Sequence, residues 1–229
     1  MNSSKINRSD FWNKKIINWE KERYDGSLEQ SSVLEKLASN ASNSLRYRHE
    51  LTKKIITQNC NGKTVAEIGC GTGRLVSPIL NAGAKHYYGY DISKVAIKEA
   101  ITAQKNTSNT NTTFTVADID MLPSLDVDIV FSIGLVDWLN NDEIRTLFIK
   151  SGKIKCLHSF SEIRLNAAQI LHRLYVKIAY GYQTKHYVPR YLNYDFLKDL
   201  AETHSKNKIH IIRDKRLSFG AFISSLPEG

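Results

Sequence analysis

Residues Val65–Gly73 read VAEIGCGTG, an apolar run that passes directly into a turn with glycines at positions 69, 71 and 73. Glycine accepts the positive φ angles of a tight strand-to-helix turn and lets the backbone come close to a ligand, because it has no side chain. An acidic residue, Glu67, stands two positions before the first glycine. Dinucleotide-binding dehydrogenases tend to have a more apolar lead-in and the spacing GxGxxG at this point. The stretch therefore predicts a strand that ends at a bound nucleotide-like ligand, and it argues against a dehydrogenase.

Strand and helix patterns alternate after this turn. The predicted strands are Thr64–Ile68, His86–Tyr90, Thr113–Val116, Asp128–Ile133, Lys153–His158, Lys208–Ile212 and Ser218–Ile223. The predicted helices are Gly73–Asn81, Ser93–Gln104, Asp142–Lys150, Leu165–Tyr180 and Tyr194–His204. This rhythm predicts an α/β fold with a doubly wound, seven-stranded, mostly parallel sheet. Because no helix separates the last two strands, the final strand is expected to be antiparallel, at or near the sheet edge.

The glycine turn resembles the first motif of the class I S-adenosylmethionine (SAM)-dependent methyltransferases, E/D-x-G-x-G-x-G, which Glu67, Gly69, Gly71 and Gly73 match. The resemblance implies a Rossmann-like methyltransferase fold, with SAM as cofactor and S-adenosylhomocysteine (SAH) as its product. It also implies that the turn, including Cys70, wraps the methionine part of SAM and that Glu67 lies beside its amino group. The blocks that match this family run roughly from residue 63 to residue 162.

Two acidic residues follow predicted strands further along the chain. Asp91, in YYGYDIS, stands 18 residues after the last glycine of the turn, close to the ~20-residue interval at which a carboxylate meets the ribose hydroxyls. Ile92 is expected to pack on the adenine face. Asp118, in TFTVADID, resembles the family residue that accepts a hydrogen bond from the adenine amine. Ile119 would supply the neighbouring backbone amide, and Asp120 is a competing candidate.

The fourth block, residues 126–139 (DVDIVFSIGLVDWL), resembles the family strand that ends beside the transferable methyl group. Ser132, Ile133 and Gly134 are expected to line that edge, and Trp138 is expected to contact the acceptor. Each motif alone also fits an ordinary turn or helix cap. Four of them in order, each at the C-terminal end of a predicted strand, favour a SAM site.

The N-terminal region is predicted to contain three helices, Asp10–Arg23 with Asp10 as the N-cap, Leu28–Leu37 and Ser44–Thr57. Its FWNKKIINWEKERY and SLRYRHEL stretches resemble small-molecule methyltransferases of bacterial surface-polysaccharide pathways and depart from Mg-protoporphyrin and quinone methyltransferases. Arg48 is expected to reach the SAM carboxylate. Residues 1–60 are expected to cover the cofactor and acceptor site. Residues 61–229 are expected to form the methyltransferase domain, with an acceptor-side helix and lid at residues 164–192.

Composition excludes several other classes. The chain has 229 residues, 41% hydrophobic and 24% charged, as expected for a globular protein. The first ten residues lack the apolar core of a secretory signal and no apolar run is long enough for a membrane span, so we expect a cytoplasmic protein with no membrane partner. The cysteines Cys60, Cys70 and Cys156 form no metal or disulfide pattern, and no metal requirement is expected.

The acceptor side offers two candidate bases. Methyl transfer from a sulfonium is an in-line displacement, so the enzyme must align the acceptor and, for a hydroxyl, help to remove its proton. His158 is expected at the end of the fifth strand and His186 in the loop QTKHYVPRY. A histidine with a pKa near ~6.5 suits this role at neutral pH. The alternative for His158 is a hydrogen-bonded structural histidine.

Positive charge is concentrated near the C-terminus. From Ser151 onward the chain has 13 Lys or Arg and 6 Asp or Glu, so seven of its nine excess positive charges lie there. Arg173, Tyr180 and Arg190 are expected to bind the acceptor, because arginine suits a phosphate, and residues 181–191 are expected to form a lid. The charge predicts a small anionic acceptor. A solvated basic surface is the alternative.

The leading hypothesis is an O-methyltransferase for a small, phosphate-bearing sugar, nucleotide-sugar or phosphoryl acceptor in surface-polysaccharide biosynthesis. A second hypothesis is methylation of RNA or protein, although nucleic acid is disfavoured because no RNA-binding module accompanies the basic region. A third is a SAM-binding scaffold or regulatory subunit without catalysis. The sequence does not identify the acceptor atom or the oligomeric state.

Overall fold

A computed structural model describes residues 7–21, 33–105, 107, 110–164, 169–170, 173 and 187–228. Its helices are α1 (Arg8–Glu20), α2 (Val33–Asn59), α3 (Val76–Asn81), α4 (Lys94–Lys105), α5 (Asn141–Ser151) and α6 (Tyr194–His204). Its strands are β1 (Thr64–Ile68), β2 (His86–Asp91), β3 (Thr112–Val116), β4 (Ile129–Ser132), β5 (Lys155–Ser161), β6 (His210–Ile212) and β7 (Gly220–Ser224). Short 3-10 turns occupy Ile119–Met121, Val136–Trp138 and Lys215–Leu217.

The predicted seven-stranded sheet is confirmed, with the strand order β3-β2-β1-β4-β5-β7-β6. Strands β1 to β5 pair in parallel, and β7 pairs antiparallel with both β5 and β6. The antiparallel last strand therefore lies one position in from the edge, and β6 forms the edge itself. The strand order reverses between β1 and β4. In open α/β sheets this is the point at which a ligand crevice opens at the C-terminal ends of the strands.

The sheet is covered on both faces, as a mostly parallel sheet requires. One apolar layer joins the sheet to α5 and α6 through residues such as Phe148, Phe160 and Leu197. The other joins it to α2 and α3 through residues such as Ile55 and Ile79.

The N-terminal helices differ from the prediction in two ways. Asn7, and not Asp10, caps α1, because its side chain accepts a hydrogen bond from the Asp10 backbone N–H at 3.3 Å. The predicted second and third helices are one continuous helix from residue 33, although residue 28 lies outside the described residues. The helix is continuous because α2 contains neither glycine nor proline, and asparagine and serine lower helix propensity only modestly.

None of the helices in the described part of the chain combines the length and the apolar character that crossing a bilayer would demand.

Candidate active site

A cavity opens at the C-terminal ends of the central strands, at the reversal point of the sheet. Eleven residues predicted for the site line it: Glu67, Gly69, Cys70, Gly71, Asp91, Ile92, Asp118, Ile119, Ile133, Gly134 and Trp138. They come from four successive strand ends, which the sequence motifs had placed separately. The parallel sheet brings these ends to one edge and so assembles a single site.

The glycine turn has the backbone that its sequence predicts. Gly69, Gly71 and Gly73 have φ angles of +76°, +52° and +76°, which disfavour any residue with a side chain. Gly73 does not line the cavity. A Cβ at this position would lie 3.1 Å from Val76 and 3.4 Å from Ala100. Gly73 therefore allows the turn to pack closely against α3 and α4, while Gly69 and Gly71 line the cavity.

Asp91 braces this turn from the end of β2. Its Oδ2 accepts a hydrogen bond from the Gly71 backbone N–H at 2.9 Å, and its Oδ1 accepts one from the Ser93 N–H at 2.8 Å. Burial raises the pKa of the Asp91 carboxyl to about 6. Each carboxylate oxygen retains a lone pair for a ligand hydroxyl, since an ionised carboxylate can accept about four bonds. The side chain is thus fixed in orientation and still able to bind a diol.

Glu67 lies at the floor of the cavity and is almost completely buried. The Tyr87 hydroxyl donates a hydrogen bond to its Oε2. Burial raises the pKa of the Glu67 carboxyl to about 8, and the negative charges of Glu20 and Asp91 add to the effect. A positively charged ligand group beside this carboxyl would favour its ionised form.

Asp118 stands at the far end of the cavity and caps the turn that follows β3. Its Oδ1 accepts a hydrogen bond from the Ile119 backbone N–H at 2.7 Å. Its Oδ2 lies 3.1 Å from Arg8 Nη2, and the same guanidinium pairs with Glu143 on α5. Asp120 is exposed and does not line the cavity. Of the two competing aspartates, Asp118 is the one at the site.

Helix α1 supplies five lining residues that sequence reasoning had not assigned: Arg8, Trp12, Ile16, Trp19 and Glu20. They recur every three or four residues, so they share one face of the helix. The sequence predicted that residues 1–60 cover the site, but it assigned no residue of this helix to the lining. The helix lies along the cavity, with Arg8 at the Asp118 end and Glu20 at the glycine turn.

His49 and Arg74 also line the cavity and had not been predicted. Burial lowers the pKa of the His49 imidazole, so the ring is neutral at pH 7 and can accept a proton. Arg74 follows the glycine turn directly, and its Nε lies 3.4 Å from the Glu20 carboxylate. Of the histidines that the structure describes, His49 is the one that reaches this cavity.

An aromatic wall, formed by Trp12, Trp138 and Tyr187, closes one side of the cavity. The ring centroids of Trp12 and Trp138 are 5.0 Å apart, as are those of Trp138 and Tyr187. Trp12 Nε1 donates a hydrogen bond to the Tyr187 hydroxyl at 3.1 Å. Burial raises the pKa of Tyr187 to about 12, so this phenol stays neutral. The wall can hold an apolar or planar group, and aromatic faces also attract cations.

His158 does not contact the cavity, and its prediction as a base is wrong on this geometry. The side chain is 0% exposed, and burial lowers its pKa to about 4. Strand β5 continues to Ser161, so His158 lies within the strand and packs against Phe148 of α5. Its Nδ1 lies 3.0 Å from Ser132 Oγ. Ser132 is equally buried and does not line the cavity, which also corrects the prediction that it binds the cofactor.

Arg48 does not line the cavity either. It is 2% exposed, and its Nη1 lies 3.3 Å from Asp137 Oδ2 in a buried ion pair. Asp137 also accepts hydrogen bonds from the Ser161 backbone N–H at 2.6 Å and from its hydroxyl at 2.8 Å. Arg48 therefore joins α2 to the ends of β4 and β5, and its prediction as the SAM carboxylate ligand is wrong.

The two arginines predicted to bind the acceptor do not line the cavity. Arg190 donates from Nη1 to the Leu139 carbonyl at 2.5 Å and from Nη2 to Asn141 Oδ1 at 2.6 Å. Arg173 is exposed, with its guanidinium 4.6 Å from the centroid of the Tyr191 ring. Their role in acceptor binding stays a prediction. Tyr180 and His186 lie outside the described residues, as does most of the predicted lid.

Metal ligands were not expected. Across the described ranges, no three His, Cys, Asp or Glu side chains are grouped so that they could hold a metal ion. The three cysteines are buried and free of disulfides.

Comparison with known proteins matches the part of the chain that contains the first four strand ends to a methyltransferase domain. Residues 65–152 match a family described as a methyltransferase domain. The match begins in β1 and ends after α5, so it contains the glycine turn, Asp91 and Asp118. No curated protein matches the chain.

Solved structures share the architecture at low identity. A magnesium protoporphyrin IX methyltransferase from Synechocystis PCC 6803, solved with bound SAH, is 20% identical with a TM-score of 0.68, and the alignment covers 96% of this chain and 97% of that one. A possible exported protein from Bordetella parapertussis is 11% identical with a TM-score of 0.70, covering 90% and 77%. A Haemonchus contortus phosphoethanolamine N-methyltransferase, in complex with phosphomonomethylethanolamine and SAH, is 15% identical with a TM-score of 0.63, covering 90% and 46%. Identities this low establish the fold. The first alignment spans nearly the whole length of both chains.

Proposed function

We propose that this chain, a SAM-dependent methyltransferase by its domain match and its fold, binds SAM along the cavity and methylates a small acceptor that packs on the aromatic wall. The observation that carries the proposal is the row of carboxylates at the ends of neighbouring strands, Glu67, Asp91 and Asp118, along one continuous cavity.

Each of these groups suits one part of the cofactor. The glycine turn leaves room for the methionine part, and Glu67 below it can accept hydrogen bonds from an ammonium group. Asp91 is oriented to accept two hydrogen bonds from the ribose diol. Asp118 and Ile119 are at the adenine end, where Ile92 offers an apolar face. SAM, when bound, supplies the methyl group as a sulfonium, beside Ile133 and Gly134.

The aromatic wall supports a planar, apolar or cationic acceptor. Trp138 follows β4 directly, so it stands next to the strand end where the methyl group is expected. A wall of two indoles and a neutral phenol contributes apolar contact area and attraction for a cation, and it offers little to a phosphate. An amine or an aromatic hydroxyl compound is the acceptor class that this wall fits best.

A second acceptor class is the anionic one predicted from the sequence, a phosphate-bearing sugar, nucleotide-sugar or phosphoryl compound of surface-polysaccharide biosynthesis. It is supported by the seven excess positive charges after Ser151 and by the N-terminal pattern around Trp12 and Trp19. Arg8 and Arg74 are the arginines of the described lining, and both are paired with carboxylates. An anionic acceptor would thus have to displace an existing ion pair or bind basic groups outside this lining.

The test combines binding with an acceptor screen. Calorimetric titration with SAH should show saturable binding near one molecule per chain, and absence of binding by folded protein would reject the proposal. Transfer of radiolabelled methyl from SAM would then be measured with panels of amines, aromatic hydroxyl compounds and phosphorylated sugars, with and without a chelator. Turnover confined to phosphorylated sugars would select the second acceptor class.

A further inference from the structure

Glu20, the last residue of α1, places its carboxylate directly on the glycine turn. Its Oε1 accepts a hydrogen bond from the Thr72 backbone N–H at 3.1 Å, and its Oε2 accepts one from the Thr72 hydroxyl at 2.5 Å. The Arg74 guanidinium contributes a third donor, with Nε at 3.4 Å. The Glu20 side chain is 8% exposed, so its carboxylate is shielded from water.

The Glu20 carboxylate also lies directly against Gly71 of the glycine turn. A Cβ added to Gly71 would lie 2.0 Å from Glu20 Oε1, so the carboxylate occupies the space that the glycine leaves open. A backbone N–H, a hydroxyl and a guanidinium around one point form a suitable site for a carboxylate. The structure thus has a filled carboxylate site in the part of the cavity that the proposed function gives to the methionine end of SAM.

We propose that Glu20 occupies, in the ligand-free protein, the position that the α-carboxylate of SAM or SAH takes when the cofactor binds. The inference rests on the proposed function, since it needs a cofactor with an amino-acid end at this turn. Two carboxylates cannot share these donors without strong repulsion. Cofactor binding therefore requires Glu20 to leave, and Glu20 acts as an internal competitor that lowers cofactor affinity.

The remaining contacts of α1 indicate how the exchange proceeds. At the other end of the helix, Arg8 pairs with Asp118 and Glu143, and the Ser9 hydroxyl donates to the Ile92 carbonyl at 3.1 Å. These contacts do not involve the glycine turn, so they can persist when Glu20 leaves. The C-terminal end of α1 is then the end that moves, and it uncovers the methionine end of the cavity before the adenine end.

Two ligands separate this competition from a general effect of the helix. SAH has the adenosine, the thioether and the amino-acid carboxylate, whereas 5′-methylthioadenosine has the first two and lacks the amino-acid end. Glu20→Gln keeps the side-chain shape and removes the charge. It should bind SAH about tenfold more tightly than the wild type, because breaking a charged hydrogen bond typically costs about that factor in an equilibrium constant. Its affinity for 5′-methylthioadenosine should equal that of the wild type.

Controls separate charge and helix stability from competition. Asp10→Asn removes one negative charge from the exposed side of the same helix and should leave both affinities unchanged. Glu20→Ala should reproduce the gain for SAH if α1 remains docked, which circular dichroism and thermal unfolding would verify. Affinities would be measured by calorimetry at one pH and ionic strength for all variants.

Each other outcome overturns the inference in an identifiable way. An equal gain for both ligands would make α1 a steric cover without carboxylate competition. Unchanged SAH affinity of Glu20→Gln would mean that Glu20 does not affect cofactor binding. Weaker SAH binding by this variant would mean that Glu20 contacts the ammonium group of the cofactor. Failure of SAH to bind any variant, including the wild type, would instead reject the proposed function, and with it this inference.

Discussion

Replacement of Glu67 by glutamine should abolish a proton release that accompanies cofactor binding to the wild type. In the ligand-free protein the pKa of Glu67 is about 8, because burial and the nearby Glu20 and Asp91 disfavour its charge. At pH 7 such a group is about nine-tenths protonated. The ammonium group of SAH favours the ionised carboxylate, so binding should expel up to about 0.9 proton per molecule.

The sign of the pH dependence follows from the same shift. A carboxyl with a raised pKa must lose its proton before it can pair with a cation, and this loss is costly below the pKa. SAH affinity should therefore rise with pH, by up to about tenfold between pH 6 and pH 7, and level off above about pH 8. Asp91, with a pKa of about 6, is already mostly ionised at pH 7. A neutral His49 that became charged on binding would take up a proton, which is the opposite sign.

Calorimetry in buffers with different ionisation enthalpies at pH 7 measures the number of protons directly. The observed heat, plotted against buffer enthalpy, should have a slope that corresponds to release for the wild type and a slope near zero for Glu67→Gln. The glutamine keeps an oxygen that can accept the hydrogen bond from Tyr87, so the fold should be retained. Clear SAH binding with no buffer dependence in the wild type would refute the reasoning, as would proton uptake.

Two further substitutions test other parts of the site. Asp91→Asn should weaken SAH binding by about 1.5–3 kcal/mol, because it removes charged hydrogen bonds to the ribose. Calorimetry on a variant with an unchanged far-UV circular dichroism spectrum would measure this loss. An affinity equal to that of the wild type would show that Asp91 only stabilises the glycine turn. His158→Leu should leave SAH affinity unchanged and lower the free energy of unfolding by about 1–3 kcal/mol, because Ser132 Oγ loses its partner. Urea unfolding measures the second effect, and a folded variant with impaired SAH binding would restore His158 to the site.

The strand-end residues of the proposed cofactor site could be predicted because their sequence signals are local. The glycine positions reflect a backbone turn that glycine alone accommodates easily, and Asp91 and Asp118 follow short apolar runs. In a parallel sheet, residues at successive strand ends meet at one edge whatever the details of packing. Eleven predicted residues therefore line one cavity without any long-range information.

Predictions that depended on where a strand stops, or on which face a side chain occupies, were less successful. His158 was placed at a strand end, but β5 runs three residues further. In the parallel register Ser132 is paired with His158, so both side chains face α5 and not the cavity. The sequence around Arg48 likewise shows a basic residue on a helix but not the buried Asp137 opposite it. The end of a strand, the face that a side chain occupies and a buried ion pair all depend on tertiary contacts, which a local sequence pattern does not show.

The net charge of the whole chain is a poor guide to the charge of its cavity. The chain has an excess of nine positive charges, yet the described cavity lining has four carboxylates, Glu20, Glu67, Asp91 and Asp118, and two arginines. When Glu20 leaves the glycine turn, Glu67, Asp91 and Asp118 remain to bind a cofactor with a sulfonium and an ammonium group, and burial makes each of these charges count more than it does on the surface. The surface excess acts at long range and is screened by salt, so it can steer an anionic acceptor toward the molecule without forming its pocket. The cavity and the surface can therefore select for opposite charges, and we infer the methyl acceptor from the aromatic wall of the cavity and not from the net charge of the chain.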